Sequence, residues 1–84
     1  ETRVALISMI VQDQESALEI NALLHAYRQY IIGRMGIPYA PKKISIISIA
    51  IDAPQDIISA LSGKLGALRG VSAKTVYSKV EGAN

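Results

Sequence analysis

The groups that could do chemistry in this chain are few, and their spacing limits what that chemistry could be. His25 is the sole histidine among 84 residues, and there is no cysteine. A metal ion needs several ligands, so His25 would have to recruit carboxylates or a symmetry mate to hold one. The competing reading is a histidine on a helix surface near the C-terminal end, where a cation is favoured. Serines are numerous, but one histidine and no recognisable motif leave no nucleophile, base and orienting group in a set. The chain therefore reads as a non-enzyme, with no cofactor and no metal. Gly63-Lys64-Leu65-Gly66 falls inside a helical pattern and not between a strand and a helix, so it is not a phosphate loop. Gly63 and Gly66 weaken that helix. They fit a close backbone approach, from the other helix or from a partner, better than a bound ligand. Arg34, Lys42 and Lys43 make a small basic cluster, for which a solvated strand edge protected from aggregation is a sufficient account.

Two matched apolar runs organise the elements around these groups. Val4 to Val11 and Ile44 to Ile51 are rich in β-branched residues and too short for independent helices. Each leads through an aspartate into helical spacing. In the first half, Asp13 is a candidate N-cap and Ser16-x-x-Glu19 has capping-box spacing. Ala17, Ile20, Leu23, Leu24 and Tyr27 form the stripe, and the helix runs to about Tyr27 or Arg28. In the second half, Pro54 suits the first turn. Ile57, Ile58, Leu61, Leu65 and Leu68 form the stripe, and Gly70 stops the helix. Tyr30 to Ile37 reads as an edge strand whose glycines mark a bulge or a close backbone approach. Pro38 to Lys43 reads as a turn, and Val71 to Lys79 as a half-buried edge strand.

The order βαββαβ, with right-handed crossovers, gives an α+β ferredoxin-like domain. It has an antiparallel sheet of order 4-1-3-2 and two helices on one face. Residues 1–80 make one domain and 81–84 a flexible tail. The helices are antiparallel, so Asp13 and Glu15 should lie beside Lys64 and Arg69, and Asp52 and Asp56 near Arg28. The larger aliphatic sets of the central strands belong under the helices. The outer face is then Leu6, Ser8, Ile10, Ile46, Ser48 and Ala50, small or apolar throughout. Such a surface points to a homo-oligomer, dimer or tetramer, joined through the sheet face. The alternative is a lone sheet with a mildly apolar solvent face.

Composition excludes several classes. Nine basic and seven acidic residues give a net charge of +2, too little to argue for nucleic acid. RNA binding on such a sheet needs aromatics on the central strands, and these carry Ile, Ser, Ala and Met. No stretch approaches the roughly 20 apolar residues of a membrane span, no signal peptide is legible, and the cytoplasm is the expected compartment. Half the residues are apolar, yet Phe and Trp are absent. A small aliphatic core without staples is often completed by a partner subunit.

Three segments carry a resemblance. Ile57-Ile58-Ser59-Ala60-Leu61-Ser62-Gly63-Lys64-Leu65-Gly66, continued by Gly70-Val71 and Lys74-Thr75, is the most specific. Asn21-Ala22-Leu23-Leu24-His25 and Gly33-Arg34-Met35-Gly36-Ile37-Pro38-Tyr39 are the others. Together they resemble the iron-only hydrogenase system regulator family, whose fold is similar to ACT domains and to the C-terminal domain of the nickel-responsive repressor. The resemblance implies a non-catalytic regulatory or sensing role, and a protein partner within the hydrogenase system. Because the metal site of the nickel repressor uses several histidines and a cysteine, no metal set carries over to this chain. The expected function is a ligand-responsive homo-oligomer, with Gln12, Asp13, Arg34, Gly63 and Gly66 as the ligand-binding residues. The second reading is an oligomeric adaptor in hydrogenase maturation that takes no small ligand.

Overall fold

The structure, a computed structural model, describes residues 1–79. The tail expected at 81–84 lies outside the described residues. Four strands and two helices follow in the order β1 (Arg3–Val11), α1 (Ala17–Ala26), β2 (Ile31–Tyr39), β3 (Ile44–Ala53), α2 (Gln55–Gly66) and β4 (Val71–Tyr77). The sheet is antiparallel with order β2-β3-β1-β4, which is the ferredoxin-like arrangement.

The two apolar runs are the central strands because they alone are buried on one face and half-covered on the other. Ile7 pairs with Ile49, and Ala5 with Ile51. These residues, with Met9, Val11 and Ala53, are buried beneath the helices. Ile20 and Leu24 descend from α1, and Ile58, Leu61 and Leu65 from α2. Leu61 and Leu65 lie one helical turn apart, which keeps both on the sheet side. Ala17, placed at the start of the α1 stripe by its spacing, is exposed.

The first helix begins differently from the sequence reading. Asp13 accepts a hydrogen bond from the Glu15 amide at 2.9 Å, capping a single 3-10 turn over Gln14–Ser16 that precedes α1. The capping box from Ser16 to Glu19 does not form. Ser16 is buried, and its hydroxyl donates instead to the Arg69 carbonyl at 2.6 Å. A long-range acceptor has displaced the local one. Ser16→Ala should therefore destabilise the domain by about 1 kcal/mol, the loss of one well-formed bond to a part-buried carbonyl. Thermal unfolding of the variant checks this, and an unchanged midpoint would show that water replaces the hydroxyl.

The charge pattern of the helices is met in part. Arg69 Nε lies 3.5 Å from Asp13 Oδ2, as the antiparallel arrangement requires. Lys64 turns elsewhere, donating to the Tyr27 hydroxyl at 2.9 Å with its ammonium over that ring. Arg28 donates to the His25 carbonyl at 2.9 Å, closing the end of α1, and makes no recorded ion pair with Asp52 or Asp56. The long Lys and Arg side chains find acceptors on α1 itself, closer than the opposite helix terminus.

Strand β2 runs two residues beyond the sequence reading, through Pro38 and Tyr39. Pro38 is tolerated because β2 is an edge strand, where a missing N–H need not break a ladder. The expected bulge is present as a register shift between Ile31 and Gly33. The connection to β3 is one 3-10 turn closed by Lys43 in the left-handed region, φ 55°. Helix α2 ends at Gly66, and Leu68 to Gly70 form a turn that swings the chain into β4.

Candidate functional site

Two surfaces gather the side chains that could engage another molecule. The first is the sheet face opposite the helices. Pairing registers lay it out in rows across all four strands, from β2 to β4. Gly33, Ala50, Leu6 and Val76 form one row, and Ile37, Ile46, Ile10 and Ser72 another. Between them lies the row Met35, Ser48, Ser8 and Lys74. Leu6, Ile10, Met35 and Val76 are 46, 45, 55 and 63% exposed. The Ser8 and Ser48 hydroxyls are 3.0 Å apart and satisfy one another. Four strands at ~4.8 Å spacing and rows ~7 Å apart give this face a footprint on the order of 400 Å². Ser8, Ser48, Ser72 and Lys74 take up part of it, so its apolar area is no more than that of the largest patch on an ordinary monomer, and such patches are often functional. Two shallow hollows dent it. One, of about 370 Å³, is bordered by Leu6, Gly33, Arg34, Met35, Ser48 and Ala50. The other, of about 360 Å³, runs from Ile46 across Ser8 to Lys74.

The second surface is a groove between α1 and the edge strand β2, with a volume of about 350 Å³. Leu24 and Ile31 form its apolar floor, and Asn21, His25, Arg28 and Arg34 its polar rim. Arg34 stands opposite Ile49 in register, so it projects toward the helix side of the sheet. There its Nη2 donates to Asn21 Oδ1 across 3.4 Å, a long contact to a neutral acceptor. Sequence reasoning singled out Arg34 and His25 separately. It missed Asn21 and Arg28 as their neighbours, because the crossing of α1 over β2 is a tertiary matter. The one available signal is the i, i+4 spacing of Asn21 and His25, with Arg28 three residues on, which puts them along one side of α1.

The five candidate ligand residues do not converge. Gln12 and Asp13 sit at the corner after β1, where Gln12 N donates to the Gly70 carbonyl at 2.7 Å and Asp13 holds Arg69. Arg34 is on the opposite edge of the sheet. Gly66 lies over β4, where an added methyl group would meet Ala73 at an ordinary 3.8 Å. Gly63 has open space around it, so among the described residues no backbone approaches it closely. Gly63→Ala should accordingly stabilise the protein by about 0.5–1 kcal/mol through helix propensity. A fall in the unfolding midpoint would instead mean that a second molecule packs against that position. Among the described residues no group of three or more His, Cys, Asp and Glu side chains could hold a metal ion. No helix among them is long and apolar enough to cross a membrane.

Comparison with known proteins places this architecture. The TM1266-like family model, described provisionally as the iron-only hydrogenase system regulator, matches residues 3–75. The solved structure of the uncharacterized protein TM1266 from Thermotoga maritima is similar at a TM-score of 0.88 and 39% identity, covering 94% of this chain and 100% of that one. A formyltetrahydrofolate deformylase from Pseudomonas putida KT2440 is similar at a TM-score of 0.63. At 11% identity, with 87% of this chain but 28% of the deformylase covered, it shares the fold alone. None of the curated proteins matches the chain.

Proposed function

The chain belongs to the TM1266-like family of iron-only hydrogenase system regulators, and from that premise we propose a non-catalytic regulatory module that works as a homo-oligomer and responds to a small ligand. The observation that carries the self-association is the row pattern of the outer face. Two largely apolar rows flank a row with the Ser48 and Ser8 pair at its centre and Met35 and Lys74 at its ends. A two-fold axis parallel to the strands lays each row of one copy on the same row of a second. Apolar residues then meet apolar residues, and the serine pair meets the serine pair. Lys74 at the β4 edge falls over Met35 at the β2 edge of the second copy. Its methylene stem can cover the thioether while its ammonium stays in water. A two-fold axis along the rows would instead bring Lys74 onto Lys74, so like-charge repulsion selects the first arrangement. Aligned packing of two twisted sheets about 30° apart is the geometry such faces adopt.

The test is the mass of the protein in solution, by light scattering or sedimentation over a range of concentrations. A dimer is expected. A monomer at high concentration removes the self-association, and leaves the outer face to a different protein of the hydrogenase system.

A further inference from the structure

The geometry points to the groove between α1 and β2 as a binding site for a small oxyanion, a carboxylate or phosphate group carried on a short apolar body. This deepens the ligand-response half of the reading above and needs none of the sheet-face contact. Three features of the groove support it.

Its rim carries two guanidinium groups, an imidazole and a side-chain amide, and no acidic residue. Among the described residues neither guanidinium has a carboxylate partner. The ion pair recorded among the described residues is Arg69 with Asp13, at the other edge of the fold. Arg34 makes one long contact to a neutral oxygen, and Arg28 bonds one backbone carbonyl. Each guanidinium has five N–H donors, so most of them remain for a ligand. Planar bidentate donors of this kind match carboxylate and phosphate oxygens.

The end of α1 would by itself repel an anion, because its last carbonyls carry partial negative charge. Arg28 answers this by binding the His25 carbonyl from within the rim. The floor of Leu24 and Ile31 is apolar, which suits a ligand with a hydrocarbon part and gives nothing to a bare inorganic ion. The volume of about 350 Å³ accommodates a small metabolite and falls near the lower end of the ~300–1,000 Å³ typical of ligand clefts.

The experiment titrates the full chain with inorganic phosphate, phenyl phosphate and benzoate at fixed ionic strength, reading backbone amide shifts by NMR. A short DNA duplex serves as a polyanion arm. Saturable shifts confined to amides of Asn21 to Arg34 are expected, with phenyl phosphate or benzoate binding more tightly than inorganic phosphate. The stronger of those two identifies the oxyanion. Arg34→Gln and Arg28→Gln should each weaken that affinity about tenfold or more. Lys42→Gln, which removes the same charge outside the groove, should leave it unchanged. Shifts that do not saturate, an equal loss in Lys42→Gln, or tighter binding of the duplex at the same amides would each overturn the proposal. Solution mass is measured in parallel, so a failed groove with an intact dimer, or the reverse, is separately visible.

Discussion

Gly70→Ala is expected to destabilise the domain by about 3 kcal/mol or more, lowering the unfolding midpoint by roughly 15 °C. Gly70 has φ +70°, in the region that disfavours a side chain. A methyl group there would stand 2.6 Å from Asp13 Cβ and 2.8 Å from the Asp13 backbone nitrogen. Neither neighbour can step aside. The adjacent Gln12 amide is bonded to the Gly70 carbonyl, and Ser16 and Asp13 both hold Arg69. The conformational cost of about 1–2 kcal/mol is thus joined by the loss of part of this corner. Small domains have only about 5 kcal/mol in hand, so the substitution should remove more than half of the stability. Gly70→Asn separates the two causes. Asparagine tolerates the dihedral angle but brings the same Cβ, and it should be nearly as damaging. A midpoint within about two degrees of the parent for the alanine variant would mean that the corner is looser than its contacts indicate.

Ser48→Asp should convert the proposed dimer to a folded monomer, weakening association at least about a hundredfold. Ser48 lies at the centre of the outer face, paired with Ser8. In a single chain the new carboxylate remains open to water, and circular dichroism and thermal stability should change little. In a face-to-face pair it is buried over Ser8 of the second copy, beside the axis and near that copy's own new carboxylate, with no cation to meet it except Lys74 at the rim. A charge buried without a partner costs several kcal/mol, more than a contact of this size can spare. An unchanged mass would mean that the copies meet somewhere else.

The fold was legible because hydrophobic period and chain order agreed. The runs at Val4 and Ile44 read as central strands because both are apolar on two faces and the βαββαβ order puts strands 1 and 3 in the middle of the sheet. Boundaries were lost where tertiary contacts outbid local ones. Ser16 left its capping role for the Arg69 carbonyl, and Pro38 stayed in a strand because nothing pairs on its far side. The candidate site was less legible for a related reason. Arg34 was visible as part of a basic cluster on an edge strand. Asn21, His25 and Arg28 read only as the polar side of a helix until α1 was laid across β2. The aspartate chosen with Arg34 holds a corner, Gly66 ends α2, and Gly63 faces open space.

The irregular edge at β2 has a further consequence. Its register shift near Ile32 and its proline at position 38 both spoil the row of donors and acceptors on which another strand could be laid. Growth of the sheet sideways, copy after copy, is thereby discouraged. What remains is the broad face, and a two-fold pairing there uses it up on both copies at once. An assembly of this kind has a last member. The bulge and the proline, at the opposite end of the sheet from β4, would make the complex finite and not a fibre.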